Sequence, residues 1–191
     1  MAIITLNNRA TNRSDTASAG QVFTATSATA ADFQAGGGVN TPAFEAYLSS
    51  TQSASDNSWT KIQINTEVFD TASAYDNSSN YRFTVPSGQG GKYFVYGMAQ
   101  LYATYDSNDI SRLSIYKNGS RVIGSSNDSR HGGTRVAPAF VCTVMSLSAS
   151  DYLELYALID TSSGSPEIAA TADSTDGGNY GTRFGAYKII E

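Results

Sequence analysis

The chain has one cysteine, Cys142, and one histidine, His131, in 191 residues. A single thiol excludes any disulfide within the chain, and a single imidazole excludes a metal centre built from several histidines. Charge is scarce as well. Asp, Glu, Lys and Arg together make up 15 %, well below the roughly one quarter of an average globular chain. The basic residues stand singly and the net charge is -5, so the clustered positive field that a nucleic-acid backbone requires is missing. No apolar run approaches the ~20 residues of a membrane-crossing helix, so no membrane partner is expected. The opening residues, Met1 to Asn8, have neither a basic stretch nor a long apolar core, and do not read as a secretory signal.

The catalytic inventory is thin for the same reason. Cys142 lies in the apolar run Ala139 to Met145, which reads as a strand, and is expected there as a small buried hydrophobe. His131 sits in the loop Ser129 to Gly133, where a solvated role is expected. There is no G-x-S-x-G elbow for a nucleophilic serine. Gly36-Gly37-Gly38 lacks the lysine and hydroxyl residue of a phosphate-binding loop. Glycan hydrolysis would have to use Glu45, Glu67, Glu154 and Glu167. Of these, Glu154 reads as a surface acid on a strand whose other face carries Leu153 and Leu155. Asp106, Asp109 and Asp128 are loop carboxylates of the kind calcium takes, without the dense acidic loop of a dedicated site. The expectation is a protein that is not an enzyme and has no cofactor and no metal.

What the chain has in quantity is tyrosine, phenylalanine, glycine and small polar residues, with 12 Tyr and 8 Phe. The most informative window runs from Arg82 to Tyr96. An extended run ends at Pro86, which cannot donate to a central ladder. Gly88, Gly90 and Gly91 form a corner, and a second run begins at Lys92 with rings at Tyr93, Phe94 and Tyr96. Rings on both faces of one strand call for cover on both faces. Further strands are expected at 43–48, 59–65, 81–85, 92–104, 112–116, 121–123, 139–147, 152–159 and 180–190. Asn118-Gly119 between two alternating runs is a strong hairpin signal. Many short strands with turn residues between them, and no helical period, predict an all-β sandwich or jelly roll.

Residues 1–40 differ from the remainder. They are rich in Ala, Thr, Ser and Asn, poor in large apolar residues, and end in a glycine joint. Such a segment cannot build a core alone. It is expected to be an extended attachment segment, with short strands at Ile3 to Leu6 and Gln21 to Thr26, that orders on a partner. Ile3, Ile4, Leu6, Val22, Phe23 and Phe33 are its candidate contacts. Residues 41–191 are expected to form the head domain.

The order Phe44, Tyr75, Phe83-Thr84-Val85-Pro86, Gly91-Lys92-Tyr93-Phe94, Asp151-Tyr152-Leu153-Glu154-Leu155 and Phe184-Gly185-Ala186-Tyr187 resembles the complement-type globular head, within the tumour-necrosis-factor-like jelly rolls. The chain departs from that pattern at Ser150, where the family has glycine before the aspartate. The resemblance implies a ten-stranded antiparallel jelly roll that assembles as a homotrimer. Tyr93, Phe94, Tyr96, Tyr102, Phe184 and Tyr187 are the rings expected at its threefold interface. The N-terminal pieces, Gly20 to Ala25, Phe33-Gln34 and Asn40 to Tyr47, are similar to structural proteins of tailed phages of marine bacteria, including cyanophages. That likeness implies a virion protein on the particle exterior, a capsid decoration or cement protein whose partners are itself and phage capsid or tail proteins. The alternatives are a short tail or head fibre that binds host surface glycan, with loop tyrosines such as Tyr75, Tyr102, Tyr105 and Tyr180 stacking on sugar, and a virion glycan hydrolase or esterase.

Overall fold

The corner after Pro86 organises the domain. The Gln89 N–H donates to the Pro86 carbonyl at 3.1 Å, and Gly88 (φ 73°) and Gly91 (φ 149°) take backbone angles that other residues rarely adopt. The chain thereby leaves one sheet and enters the other. The computed structural model describes residues 3–6, 9–12, 21–25, 27, 30–35, 40–104, 107–130, 136–170 and 181–189. They divide into two units, Met1–Val39 and Asn40–Glu191.

Among the described residues the first unit has four strands in one sheet, where two short strands were expected. It contains β1 (Ile3–Leu6), β2 (Arg9–Asn12), β3 (Gln21–Ala25) and β4 (Ala30–Ala35), in the order β1-β2-β4-β3. The pairs β1–β2 and β3–β4 are antiparallel, β2–β4 is parallel, and Phe23 lies opposite Phe33.

The second unit has thirteen strands among the described residues: β5 (Ala43–Tyr47), β6 (Gln52–Ser53), β7 (Thr60–Lys61), β8 (Thr66–Asp70), β9 (Tyr75–Asp76), β10 (Arg82–Thr84), β11 (Gly91–Tyr102), β12 (Asn108–Lys117), β13 (Ser120–Asp128), β14 (Val136–Leu147), β15 (Tyr152–Thr161), β16 (Glu167–Ala169) and β17 (Arg183–Lys188). One sheet runs β13-β12-β15-β10-β9, with β7 beside β15. The other runs β6-β16-β11-β17-β5-β8, with β14 on the free side of β11. All these pairings are antiparallel, and neighbours in space are mostly distant in sequence, as in a jelly roll. Asn118 (φ 51°) and Gly119 (φ 76°) form the expected two-residue turn between β12 and β13. The expected strand 59–65 pairs only at Thr60–Lys61, although Ile62 and Ile64 are both buried. Two short strands, β9 and β16, lie between the expected ones.

The core lies between the two sheets. Phe44 stacks on Tyr75 (centroids 4.7 Å) and on Phe83 (4.9 Å) and meets Phe184 edge-on (5.3 Å), while Phe83 contacts Tyr93 at 5.9 Å. These five rings are among the aromatic positions that carry the family likeness, and here they form one buried cluster. Tyr93 and Phe184 are therefore core residues, fully enclosed by their own chain, and not interface rings. The reason is strand alternation: Tyr93, Val95, Ala99 and Leu101 face inward from β11, so its even-numbered residues face outward. Tyr75 is also internal, its hydroxyl donating to the Ile64 carbonyl at 2.9 Å, which removes it from any sugar-stacking role. Tyr93 donates to the Gln89 carbonyl at 2.6 Å, and burial pushes its hydroxyl up to about 12.

Candidate functional site

The outward face of the sheet containing β11 is the principal candidate. Its geometry follows from register. Tyr187, Phe94 and Val144 stand in one row across β17, β11 and β14; Gly185, Tyr96 and Cys142 form the next; Arg183, Met98 and Phe140 form the third. Phe94 contacts Tyr187 at 5.4 Å and Tyr96 at 6.0 Å between centroids. Phe140 is 57 % exposed, Val144 53 % and Tyr187 37 %. Cys142 is exposed within this face, contrary to the expected buried position. Its run Ala139 to Met145 is apolar on both sides of the strand, so composition alone does not distinguish its inward residue, Val141, from its outward one.

One polar device sits among these rings. Glu45 on β5 receives Arg183 Nη1 on Oε1 at 2.7 Å and the Tyr96 hydroxyl on Oε2 at 2.5 Å. The guanidinium of Arg183 also lies over the Tyr47 ring at 5.7 Å. Burial, and then the Glu45 carboxylate, hold the Tyr96 hydroxyl above the usual phenol range, so it remains a donor. Gly185 makes the arrangement possible, since a Cβ there would come within 2.4 Å of the Tyr96 ring. Every charge in the device is compensated, and a face of this kind can be covered without leaving an ion unpaired.

Of the six rings expected at an interface, Phe94, Tyr96, Tyr102 and Tyr187 lie on this face, and Tyr93 and Phe184 do not. Sequence reasoning missed Met98, Phe140 and Val144. The alternation of β14 marks Phe140 and Val144 as one set, but only the second sheet shows that this set points away from the core. Among the attachment candidates, Phe23 is 45 % exposed; Ile3, Ile4 and Leu6 lie on β1, Val22 on β3 and Phe33 on β4.

The other sheet carries an aromatic row that the sequence did not single out. Tyr116 stacks on Tyr156 at 4.1 Å and meets Trp59 edge-on at 6.0 Å. Arg121 lies over Trp59 at 5.4 Å, Lys61 over Tyr156 at 5.9 Å and Arg82 over Tyr152 at 4.4 Å. Glu154 belongs to this face but is only 4 % exposed. It is covered by Lys61, whose Nζ lies 2.5 Å from Oε1, which corrects the expectation of a solvated surface acid. Tyr152 and Tyr156, two residues either side of Glu154, were the available signal for the row.

The carboxylates proposed for glycan hydrolysis divide between the sheets: Glu45, Glu67 and Glu167 in one, Glu154 in the other. Of the possible calcium ligands, Asp128 is engaged by Arg130. Asp106, like His131, Tyr105 and Tyr180, lies outside the described residues. Among the described residues no three His, Cys, Asp or Glu side chains come together as a metal site, and no helix is long and apolar enough to cross a membrane.

No family model and no curated protein matches the chain. Solved structures do. The tumour-necrosis-factor protein Eiger of S. frugiperda is 14 % identical with a TM-score of 0.54, covering 78 % of this chain and 92 % of that one. The globular domain of zebrafish complement 1qA is 14 % identical with a TM-score of 0.51, covering 78 % and 97 %. Murine APRIL is 11 % identical with a TM-score of 0.53, covering 77 % and 98 %. At such identities the likeness concerns the fold, which is the all-β jelly roll of the tumour-necrosis-factor and complement heads.

Proposed function

We propose that this protein is a non-enzymatic bacteriophage virion protein, a capsid decoration or cement protein whose head associates as a homotrimer and whose first unit attaches to the particle. One observation carries the reading: among the described residues, the outward face of one jelly-roll sheet leaves Phe140, Val144 and Tyr187 exposed, with Phe94, Tyr96 and Met98 half-buried beside them. A contiguous apolar patch of this kind on a soluble domain marks an association surface. Three copies turned about one axis bring such faces together, and the compensated Glu45–Arg183–Tyr96 group can enter the contact without an unpaired charge. In this reading the unit Met1–Val39 meets the particle and the unit Asn40–Glu191 meets its own copies. Its composition and the phage-like pieces around Gly20 to Ala25 and Asn40 to Tyr47 support attachment to a shell. A cement protein acts by binding the assembled shell in preference to its parts, which stabilises it by mass action.

The aromatic row on the opposite sheet favours a second reading, a short tail or head fibre that touches host surface glycan. Location separates the two. Antibody against residues 40–191, imaged by electron microscopy on intact particles, is expected to label the capsid surface; label confined to the tail would support the fibre, and no label on intact particles would refute both. Removal of residues 1–38 is expected to leave a folded head that no longer co-sediments with particles. Full decoration by the truncated chain would refute the attachment role.

A further inference from the structure

The outward face of the sheet containing β12 holds a groove of about 440 Å³, within the size range of small-ligand sites. Trp59, Arg112, Ser114, Arg121 and Ser126 are among its lining residues, and none of that lining is acidic. Register places Arg112, Ser114, Arg121 and Ser126 on one face of the β12–β13 pair. Arg112 stands opposite Ser126 and Ser114 opposite Gly124, and the irregularity after Ile115 sets Arg121 against Tyr116. The floor is kept bare by Gly124, where a Cβ would fall 2.2 Å from the Ser114 hydroxyl and 2.7 Å from the Leu113 carbonyl.

The two arginines are what make the groove unusual in a chain of net charge -5. Every other ion pair described nearby is closed: Lys61 with Glu154, and Lys117 with Asp151 at 2.8 Å. Among the described residues neither Arg112 nor Arg121 has a carboxylate partner. Arg112 makes only a 3.4 Å contact from Nε to the Ser126 hydroxyl, and Arg121 rests over the Trp59 ring. The Arg121 guanidinium carbon lies 5.4 Å from the Trp59 centroid, a cation–π distance, and a guanidinium without a carboxylate partner offers N–H donors in the fork geometry that suits one. Beside them lie three serines, the buried Ser114, the half-buried Ser125 and the exposed Ser126, and one half-buried indole. Guanidinium donors, hydroxyls and an aromatic wall lining one groove together match a sugar ring that bears a carboxylate.

We infer that this groove binds an acidic saccharide of the uronate type, with Arg112 and Arg121 taking the carboxylate, Ser114 and Ser126 the ring hydroxyls, and Trp59 the apolar face of the ring. The inference is independent of the assembly reading, since the groove lies on the sheet opposite the proposed association face.

Trp59 is the single tryptophan of the chain, so its emission reports on the groove alone. Titration of the full-length protein with oligogalacturonate is expected to give a saturable emission change, with calorimetry showing the same affinity. Arg112→Gln and Arg121→Gln should each weaken binding by roughly tenfold or more, the loss of one charge-assisted contact. Arg121→Lys, which keeps the charge but not the fork, should also weaken it, and serves if a glutamine variant misfolds. No saturable response to oligogalacturonate up to millimolar concentration would overturn the proposal. Equal affinity for a neutral oligosaccharide of the same length would overturn the role of the arginines. Equal affinity for citrate would overturn the saccharide, leaving a simple anion site.

Discussion

Replacing both Phe140 and Val144 by aspartate puts the association face to a direct test. The two residues lie two rows apart on the outward side of β14, opposite Met98 and Phe94 of β11. They are 57 % and 53 % exposed in the single chain, so neither contributes much to the core. Covering those exposed fractions in an assembly is worth roughly 2 kcal/mol per chain, taking ~1.5–3 kcal/mol for burial of a whole side chain. Three chains bring the loss to about 6 kcal/mol per trimer, or about four decades in the association constant. Burying the six new carboxylates that a trimer would contain adds to the penalty. Sedimentation velocity and light scattering at micromolar concentration are expected to show a trimer for the native chain and a monomer for the variant. Circular dichroism and the thermal midpoint of the monomer should remain those of a folded jelly roll. A native chain that is monomeric, or a double variant that remains trimeric, would show that this face is not what holds copies together.

Three further predictions concern the fold that builds the face. Gly97→Ala places a Cβ 2.5 Å from Leu155 Cδ1 on the facing sheet. It should destabilise by ~1–3 kcal/mol, and the double variant with Leu155→Ala should cost clearly less than the sum of the single changes in denaturant melts; strict additivity would place the sheets wrongly. Asp151 is held down to about 2 by the Lys117 ammonium, the Ser148 N–H and the Asn118 amide. A carboxyl lowered on folding stabilises the native state above its unfolded value of about 3.9, and that contribution is lost as pH falls through about 2. Asp151→Asn should therefore flatten the acid limb of the stability curve between those values by less than ~1 kcal/mol, because water screens the pair; parallel limbs would refute the interaction. Ser150 has φ 70°, a left-handed conformation that costs a residue with a side chain roughly 1–2 kcal/mol. Ser150→Gly should raise the thermal midpoint by a net ~0.5–1 kcal/mol equivalent once glycine's extra chain entropy is counted, and a fall in the midpoint would refute that reading.

The same Ser150 shows how local chemistry was legible. It occupies the position where the family likeness places glycine, and its positive φ is the reason glycine suits it. The Pro86 corner and the Asn118-Gly119 turn were readable on the same ground, because a ring-locked φ or a missing Cβ acts within a few bonds. Short strands such as β9 and β16 were not readable. They consist of two or three residues whose pairing is supplied by β10 and β11 from elsewhere in the chain.

Local sequence determined that this chain is a sandwich of alternating strands, where its corners fall and which aromatic positions recur in order. Alternation divides each strand into two sets of side chains and does not say which set is inside. That choice belongs to the second sheet, which encloses Tyr93 and Phe184 and leaves Phe94 and Phe140 on the outward face. It also brings Lys61 over Glu154 and sets Arg121 against Trp59, contacts between residues 62 or more positions apart that only the jelly-roll crossovers make neighbours.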